Sequence, residues 1–260
     1  GLAKEIETVL RRERCTAADI RSNPDLNREI IHSVMWQLIT HLHHSYGNGI
    51  FLILDGPASK NGMATEQAGV AIRDMDSNSF AADNSDLLLE RGLPSLSSDF
   101  GIALDTTWEL GFDFTNMADK EFYTVPFARA EDGSINREKL ADYAYVGTSD
   151  LNPRDNIRVL VYSIPLSLTD GTVIGVIGVE ISERSVRKFL NANFQDSDLE
   201  IFNLLARLDE EKKSITPVVV GSAQYQRYFG PSEILSFEES GWEGVYTIKD
   251  RYGYLWYGMA

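Results

Sequence analysis

The stretch from Asn156 to Ser182, NIRVLVYSIPLSLTDGTVIGVIGVEIS, decides the reading of this chain. Two runs rich in β-branched and aromatic residues, Ile157 to Leu166 and Thr172 to Ser182, flank Thr169-Asp170-Gly171, a pattern that predicts a long antiparallel hairpin. In the second run Val173, Ile177, Val179 and Ile181 are expected on one face and Ile174 and Val176 on the other, so both faces must be covered. Gly175 and Gly178 weaken the strand, which implies that a helix or a ligand comes close to its backbone; tight helix-on-sheet packing is the simpler expectation.

Outward from the hairpin, Tyr143 to Val146 reads as the strand before it and Ser182 to Asn193 as the helix after it. Leu199 to Leu208 and Ile215 to Val220 then predict a second hairpin, Ser222 to Phe229 a short helix, and Gly244 to Ile248 with Tyr254 to Ala260 a third hairpin. Strand, strand, helix, strand, strand is a small α+β unit expected to need one more strand beyond Ala260. The chain starts without Met and stops inside a strand-like run, so a piece of a longer protein is expected.

Upstream, residues 2 to 21 carry Leu2, Ile6, Val9 and Leu10 at helical spacing. A break is expected at Ser22-Asn23-Pro24-Asp25, followed by a second helix to Ser45 with Leu26, Ile30, Val34, Leu38 and Leu42 on one stripe, widened by Ile31, Met35 and Ile39. Ile50 to Leu54 and Gly69 to Asp74 read as strands. Phe80 to Asp142 reads as a long irregular insertion dense in aromatics, folded over one antiparallel sheet so as to make a small-molecule pocket.

With 43% hydrophobic residues and 260 positions, the chain can bury a sizeable core. Its net charge of -15 is spread along the sequence and argues against nucleic acid and anionic membrane surfaces as partners. One cysteine, Cys15, allows no intrachain disulfide. No apolar run of membrane-spanning length and no signal peptide is present. His41 and His44 share a helix face, but the sequence places no carboxylate beside them. Asp74, Asp76 and Asn78 begin a calcium-loop pattern that fails at Ser79 and Ser85. Neither metal nor cofactor is expected, and the absence of a nucleophile elbow, Walker loop, HExxH or zinc pattern speaks against an enzyme.

A helical stalk, a sheet module, a linking helix and a smaller sheet module, with YSIPLSLTDGTVIGVIGVEIS leading into SERSVRKFL, resemble the double Cache (dCache) family of extracellular sensor domains. The most specific piece is Asp170 to Ser182, and AGVAIRDMD, DNSDLLLERG, TTWELGFDF and EFYTVPF are similar in kind. The resemblance implies an α+β fold: a long N-terminal helical stalk (1–46), a larger membrane-distal PAS-like antiparallel-sheet module (47–193) and a smaller, truncated membrane-proximal one (194–260). It implies extracytoplasmic placement (periplasmic or outer face) in a cell-membrane receptor whose flanking membrane helices lie outside this sequence, the output being a histidine kinase, diguanylate cyclase or chemoreceptor. A small-molecule ligand is expected in the distal module, with Trp108, Phe112, Phe114, Tyr123 and Tyr145 as walls and Arg73, Asp74 and Asp155 as polar anchors; no residue is expected to be catalytic. The arginine of the family's amino-acid-binding motif is missing from Asp105-Thr106-Thr107-Trp108-Glu109, so the resemblance does not imply an amino-acid ligand. The competing reading is a ligand-free interaction module that forms a homodimer through its N-terminal helix.

Overall fold

In the computed structural model the described residues are 2–13, 15–45, 47–59, 66–76, 84–115, 120–130, 135–149, 158–191, 201–222, 224–230 and 233–259. The chain is α+β and forms two compact units, Gly1–Ser182 and Glu183–Ala260, each built on a largely antiparallel sheet.

The first unit begins with three helices, α1 (Leu2–Glu13), α2 (Ala17–Ser22) and α3 (Pro24–His43). The sequence predicts one helix over 2–21, but the chain breaks before Thr16. There the Thr16 side chain accepts from the Asp19 amide while the Asp19 carboxylate accepts from the Thr16 amide, a reciprocal cap that starts a new helix. Asn23 caps α3 by accepting from the amides of Asp25 and Leu26, with Pro24 in the first turn. Ile30, Val34, Leu38 and Leu42, with Ile31, Met35 and Ile39, are buried as their spacing requires. Ile6 and Leu10 of α1 join the same cluster.

The sheet under these helices runs β4 (Ala103–Glu109), β3 (Leu87–Arg91), β2 (Glu66–Asp74), β1 (Gly49–Pro57), β8 (Val173–Ser182), β7 (Val159–Ser167), β6 (Tyr145–Ser149), with β5 (Phe112–Asp113) paired to β2. The predicted hairpin is β7–β8, closed by the Gly171 amide donating to Leu168 O. Strand β1 lies between β2 and β8, so the unit joins its two ends through its central strands.

Both faces of β8 are covered. Ile174 and Ile177 meet the helices, Val176 meets an aromatic layer on the other side, and Val173 packs with Ala130 and Ile135. The expected pairing of Val173 with Ile177 on one face therefore fails, because the ladder shifts register between Leu166 and Ser167 and turns the start of β8 over. The two glycines serve neighbouring strands, not a helix or a ligand. A Cβ on Gly175 would stand 2.2 Å from Ile53 O, and one on Gly178 would stand 2.3 Å from the Phe51 ring.

The described residues of the region read as an irregular insertion are largely in regular elements. They supply β3, β4 and β5, helices α4 (Pro94–Phe100) and α5 (Glu121–Arg129), and a 3-10 turn at Leu140–Tyr143. Leu87-Leu88-Leu89-Glu90-Arg91 has no strong β propensity; pairing with β2 makes it a strand.

The second unit holds α6 (Glu183–Asn191), β9 (Leu204–Asp209), β10 (Ser214–Val220), α7 (Tyr225–Tyr228), β11 (Leu235–Glu239), β12 (Val245–Lys249) and β13 (Leu255–Met259). Its sheet is a meander in sequence order. Strand β11 escaped the sequence reading because Leu235-Ser236-Phe237-Glu238-Glu239 buries only Leu235 and Phe237. Phe237 and Ile248 pack with Tyr225, Phe229 and Leu235, and Trp256 and Phe202 close the cluster. Among the described residues no helix is long and apolar enough to cross a membrane.

Candidate functional site

Strand alternation builds the site on the face of the first sheet turned away from α3. Phe51 and Ile53 of β1, Ala71 of β2, Val176 of β8, Val161 of β7 and Tyr145 of β6 all point there. Helix α5 crosses this face, anchored where the buried Ser163 Oγ donates to Phe122 O at 2.6 Å. Phe122 meets the Phe51 ring edge-on at 5.3 Å. Phe114 stacks on Tyr123 at 4.2 Å, and Phe112 lies under the Arg91 guanidinium at 5.0 Å. Phe51, Phe112 and Phe122 are themselves buried in this aromatic layer, and the polar groups of the face stand at its ends.

At one end of the face, Gly49 of β1 pairs with both Arg73 of β2 and Glu180 of β8. A Cβ on Gly49 would stand 3.0 Å from Glu180 Oε2, so the missing side chain leaves room for the carboxylate. Arg73 Nε is 2.7 Å from Glu90 Oε1, and Arg73 Nη2 is 3.9 Å from Glu180 Oε2. Arg73 and Glu180 are buried. Burial, reinforced by the Glu90 charge and opposed by Arg73, pushes the Glu180 carboxyl up to about 7. One guanidinium facing two carboxylates leaves a site that holds or releases a proton near neutrality.

The other end is closed by a second ionic group. Arg21 Nε donates to Asp55 Oδ2 at 2.7 Å, and the Tyr123 hydroxyl also bonds Asp55. Burial, then the Asp55 charge, raises the Tyr123 phenol well above its ordinary range, so it serves as a donor.

The structure thus brings Arg73, Phe112, Phe114, Tyr123 and Tyr145 to one face. Trp108 lies on the helix side, where its Nε1 donates to Gly92 O at 2.8 Å. Asp74 stands near His43 and Asp86; burial raises its carboxyl, a bond from the Asp76 amide opposes this, and Asp86 adds to the rise. Asp155 lies outside the described residues, as do Asn78 and Ser79 of the calcium-loop pattern. His41 lies 3.9 Å from Glu5, a carboxylate the sequence alone did not place there. Among the described residues no three metal-ligating side chains gather.

No family model matches the chain, and no curated protein matches it. Among solved structures the chain is similar to sensory domains. One is the periplasmic sensory domain of the Campylobacter jejuni chemoreceptor Tlp1 (TM-score 0.45, 15% identity, 86% of this chain and 65% of that one). Another is the extracellular domain of a protein described as a histidine kinase, soHK1S-Z6 (TM-score 0.40, 10% identity, 98% and 80% covered). A third is the ligand-binding domain of the Pseudomonas aeruginosa PAO1 amino acid chemoreceptor PctC in complex with GABA (TM-score 0.35, 13% identity, 95% and 85% covered). The chain spans 65% of the length of the Tlp1 domain.

Glu90, Glu180, Phe51 and Phe122 complete the face and were missed in the sequence. For Glu180 a signal existed. It falls in a strand that must be covered on both sides, so its carboxylate is buried by construction.

Away from this face, a cavity of ≈ 290 Å³ lies between the α1–α2 corner and the β7–β8 turn, lined by Glu7, Leu10, Arg11, Cys15, Leu168 and Asp170. Its buried carboxylate, Glu7, is already held by Arg11 and Arg137.

Proposed function

We propose that this chain is an extracytoplasmic sensory domain of the dCache kind that binds a small molecule on the aromatic face of its first sheet and passes a conformational signal to a cytoplasmic output domain. The observation that carries the reading is the Arg73–Glu90–Glu180 cluster at the end of an aromatic layer, in which Arg73 and Glu180 are buried and Glu90 half-buried. A buried charge cluster with an unequal count of acids and bases stabilises a fold poorly. Polar groups set beside aromatic walls are the ordinary composition of a ligand site. Signalling then requires only that the ligand favour one of two arrangements of the domain by its differential affinity.

Thermal unfolding of the chain against amino acids, organic acids, amines, purines, sugars and calcium tests this. Saturating ligand at a hundredfold excess over its Kd raises stability by about 2.7 kcal/mol. A dose-dependent shift from one chemical class is the expected result. A panel that shifts nothing would favour the ligand-free interaction module, dimerised through its N-terminal helices.

A further inference from the structure

At the end of the first unit, three strands are held by one residue. Asn48, just before β1, donates its amide to Glu180 O at 2.7 Å and accepts the Ser182 amide on Oδ1 at 2.8 Å, while its carbonyl accepts the Asp74 amide at 2.9 Å. It thus ties the end of β8 to the end of β2. Ser182 is the last residue of the unit, and α6 starts at Glu183. Loosening Asn48 therefore frees the root of α6.

The Arg73–Glu90–Glu180 cluster lies against this tie. The ladder between β2 and β3 skips Glu90, since Ala71 pairs with Arg91 and Ile72 with Leu89, and such a bulge re-aims a side chain. Arg73 is 2.7 Å from Glu90 but 3.9 Å from Glu180, too far for a hydrogen bond. Among the described residues no other charged group faces Glu180. Strands β1 and β7 meet it with Gly49 and Val161. The charged residues of α5, Glu121 and Arg129, are exposed. Asp74 turns to the opposite side of the sheet, near His43 and Asp86. With Glu180 ionised, the cluster holds one negative charge in excess in a buried place; with Glu180 neutral it holds none. Water relieves the excess. Glu180 stands two residues from the end of its strand, so the shortest way in for water is through the Asn48 tie.

We propose that this end of the first sheet is a proton-operated latch: while Glu180 is neutral Asn48 holds β8 to β2, and its ionisation releases Asn48 and with it Ser182, the residue before α6. The closed latch binds the proton, so its hold is full in acid and is lost as pH rises to about 7. The proton is then an input of the domain that needs no small molecule on the aromatic face.

Residue-resolved amide hydrogen exchange of the whole chain from pH 5 to 8, divided by the intrinsic rate at each pH, tests this. The Asn48 and Ser182 amides should exchange faster than that of the buried Leu52, and their protection should fall roughly tenfold or more between pH 5 and 7 and level off above. The Ala58 amide, bonded to Glu66 O at the far end of β1, should keep its protection. Glu180→Gln should abolish the fall, and Glu90→Gln, which leaves Arg73 to Glu180, should move it to lower pH. Exchange at Asn48 and Ser182 that matches Leu52, that ignores pH, or that keeps its pH dependence in Glu180→Gln overturns the proposal.

Discussion

The two sheets of this chain solve one problem in opposite ways. In the first, β1 sits between β2 and β8, strands far apart in sequence, and helices cover one face while aromatics and α5 cover the other. In the second, neighbours in sequence are neighbours in space, one face holds the Tyr225, Phe229 and Trp256 cluster, and the other meets water. A sheet buried on both sides can hold a charge cluster away from solvent and shift its protonation. A sheet bare on one side offers an edge and a surface. The ligand chemistry proposed above rests on the first of these two arrangements.

Glycine substitutions should show the contrast most strongly. Gly178→Ala places a methyl 2.3 Å from the Phe51 ring and 2.8 Å from Tyr162 O, and should cost roughly 3 kcal/mol or more in denaturant unfolding of the first unit. Gly258→Ala meets only Ile248 Cδ1 at 3.5 Å and should be neutral or stabilise by up to about 1 kcal/mol. Equal costs would dissolve the contrast.

A comparable effect comes from pH. Glu180 keeps its proton up to about 7 in the folded chain, whereas the ordinary value is 4.5. Between these values the folded state binds the extra proton, so this group's contribution to stability is full below the lower value and is lost as pH rises to the upper one. Glu180→Gln carries no such loss. Its advantage over the parent should grow from pH 4.5 to 7 and level off above, reaching on the order of 3 kcal/mol. A difference flat across that window would show that the carboxyl is not buried as described.

Two buried hydroxyls give the smallest effects. Ser163→Ala removes the bond that holds α5 on the sheet and leaves Phe122 O unpaired, a cost of about 1–3 kcal/mol. Tyr225 Oη in the second unit has no hydrogen-bond partner among the described residues, and burial, aided by the Glu233 charge, pushes it up to about 12. Tyr225→Phe should therefore leave stability unchanged or raise it by roughly 1 kcal/mol. A loss comparable to that of Ser163→Ala would mean that this hydroxyl is bonded.

Much of the fold is legible in the sequence because periodicity reports burial. The β7–β8 hairpin, the stripe of α3 and the second unit's outer hairpins all follow from spacing alone. The strands β3, β4 and β11 do not, because each is short and owes its extended form to the strand beside it. The candidate site was half legible. Phe112, Phe114 and Tyr123 announce a covering layer by composition, but which face a residue takes depends on register. A shift between Leu89 and Arg91 separates the strand pairing around Trp108 from that of Leu88 and Leu89, and Trp108 lies with the helices. Glu90 gave no signal in the sequence, and only strand pairing sets it and Glu180 around Arg73.

The most direct test takes whichever chemical class raises the unfolding temperature of the parent chain and repeats the titration on Glu180→Gln and on Lys249→Gln. Lys249 lines a hollow of ≈ 220 Å³ on the bare face of the second sheet and is the matched control. Loss of the shift in Glu180→Gln with its retention in Lys249→Gln is the predicted result. The reverse pattern would move the ligand to the second unit and contradict the assignment of sensing to the first.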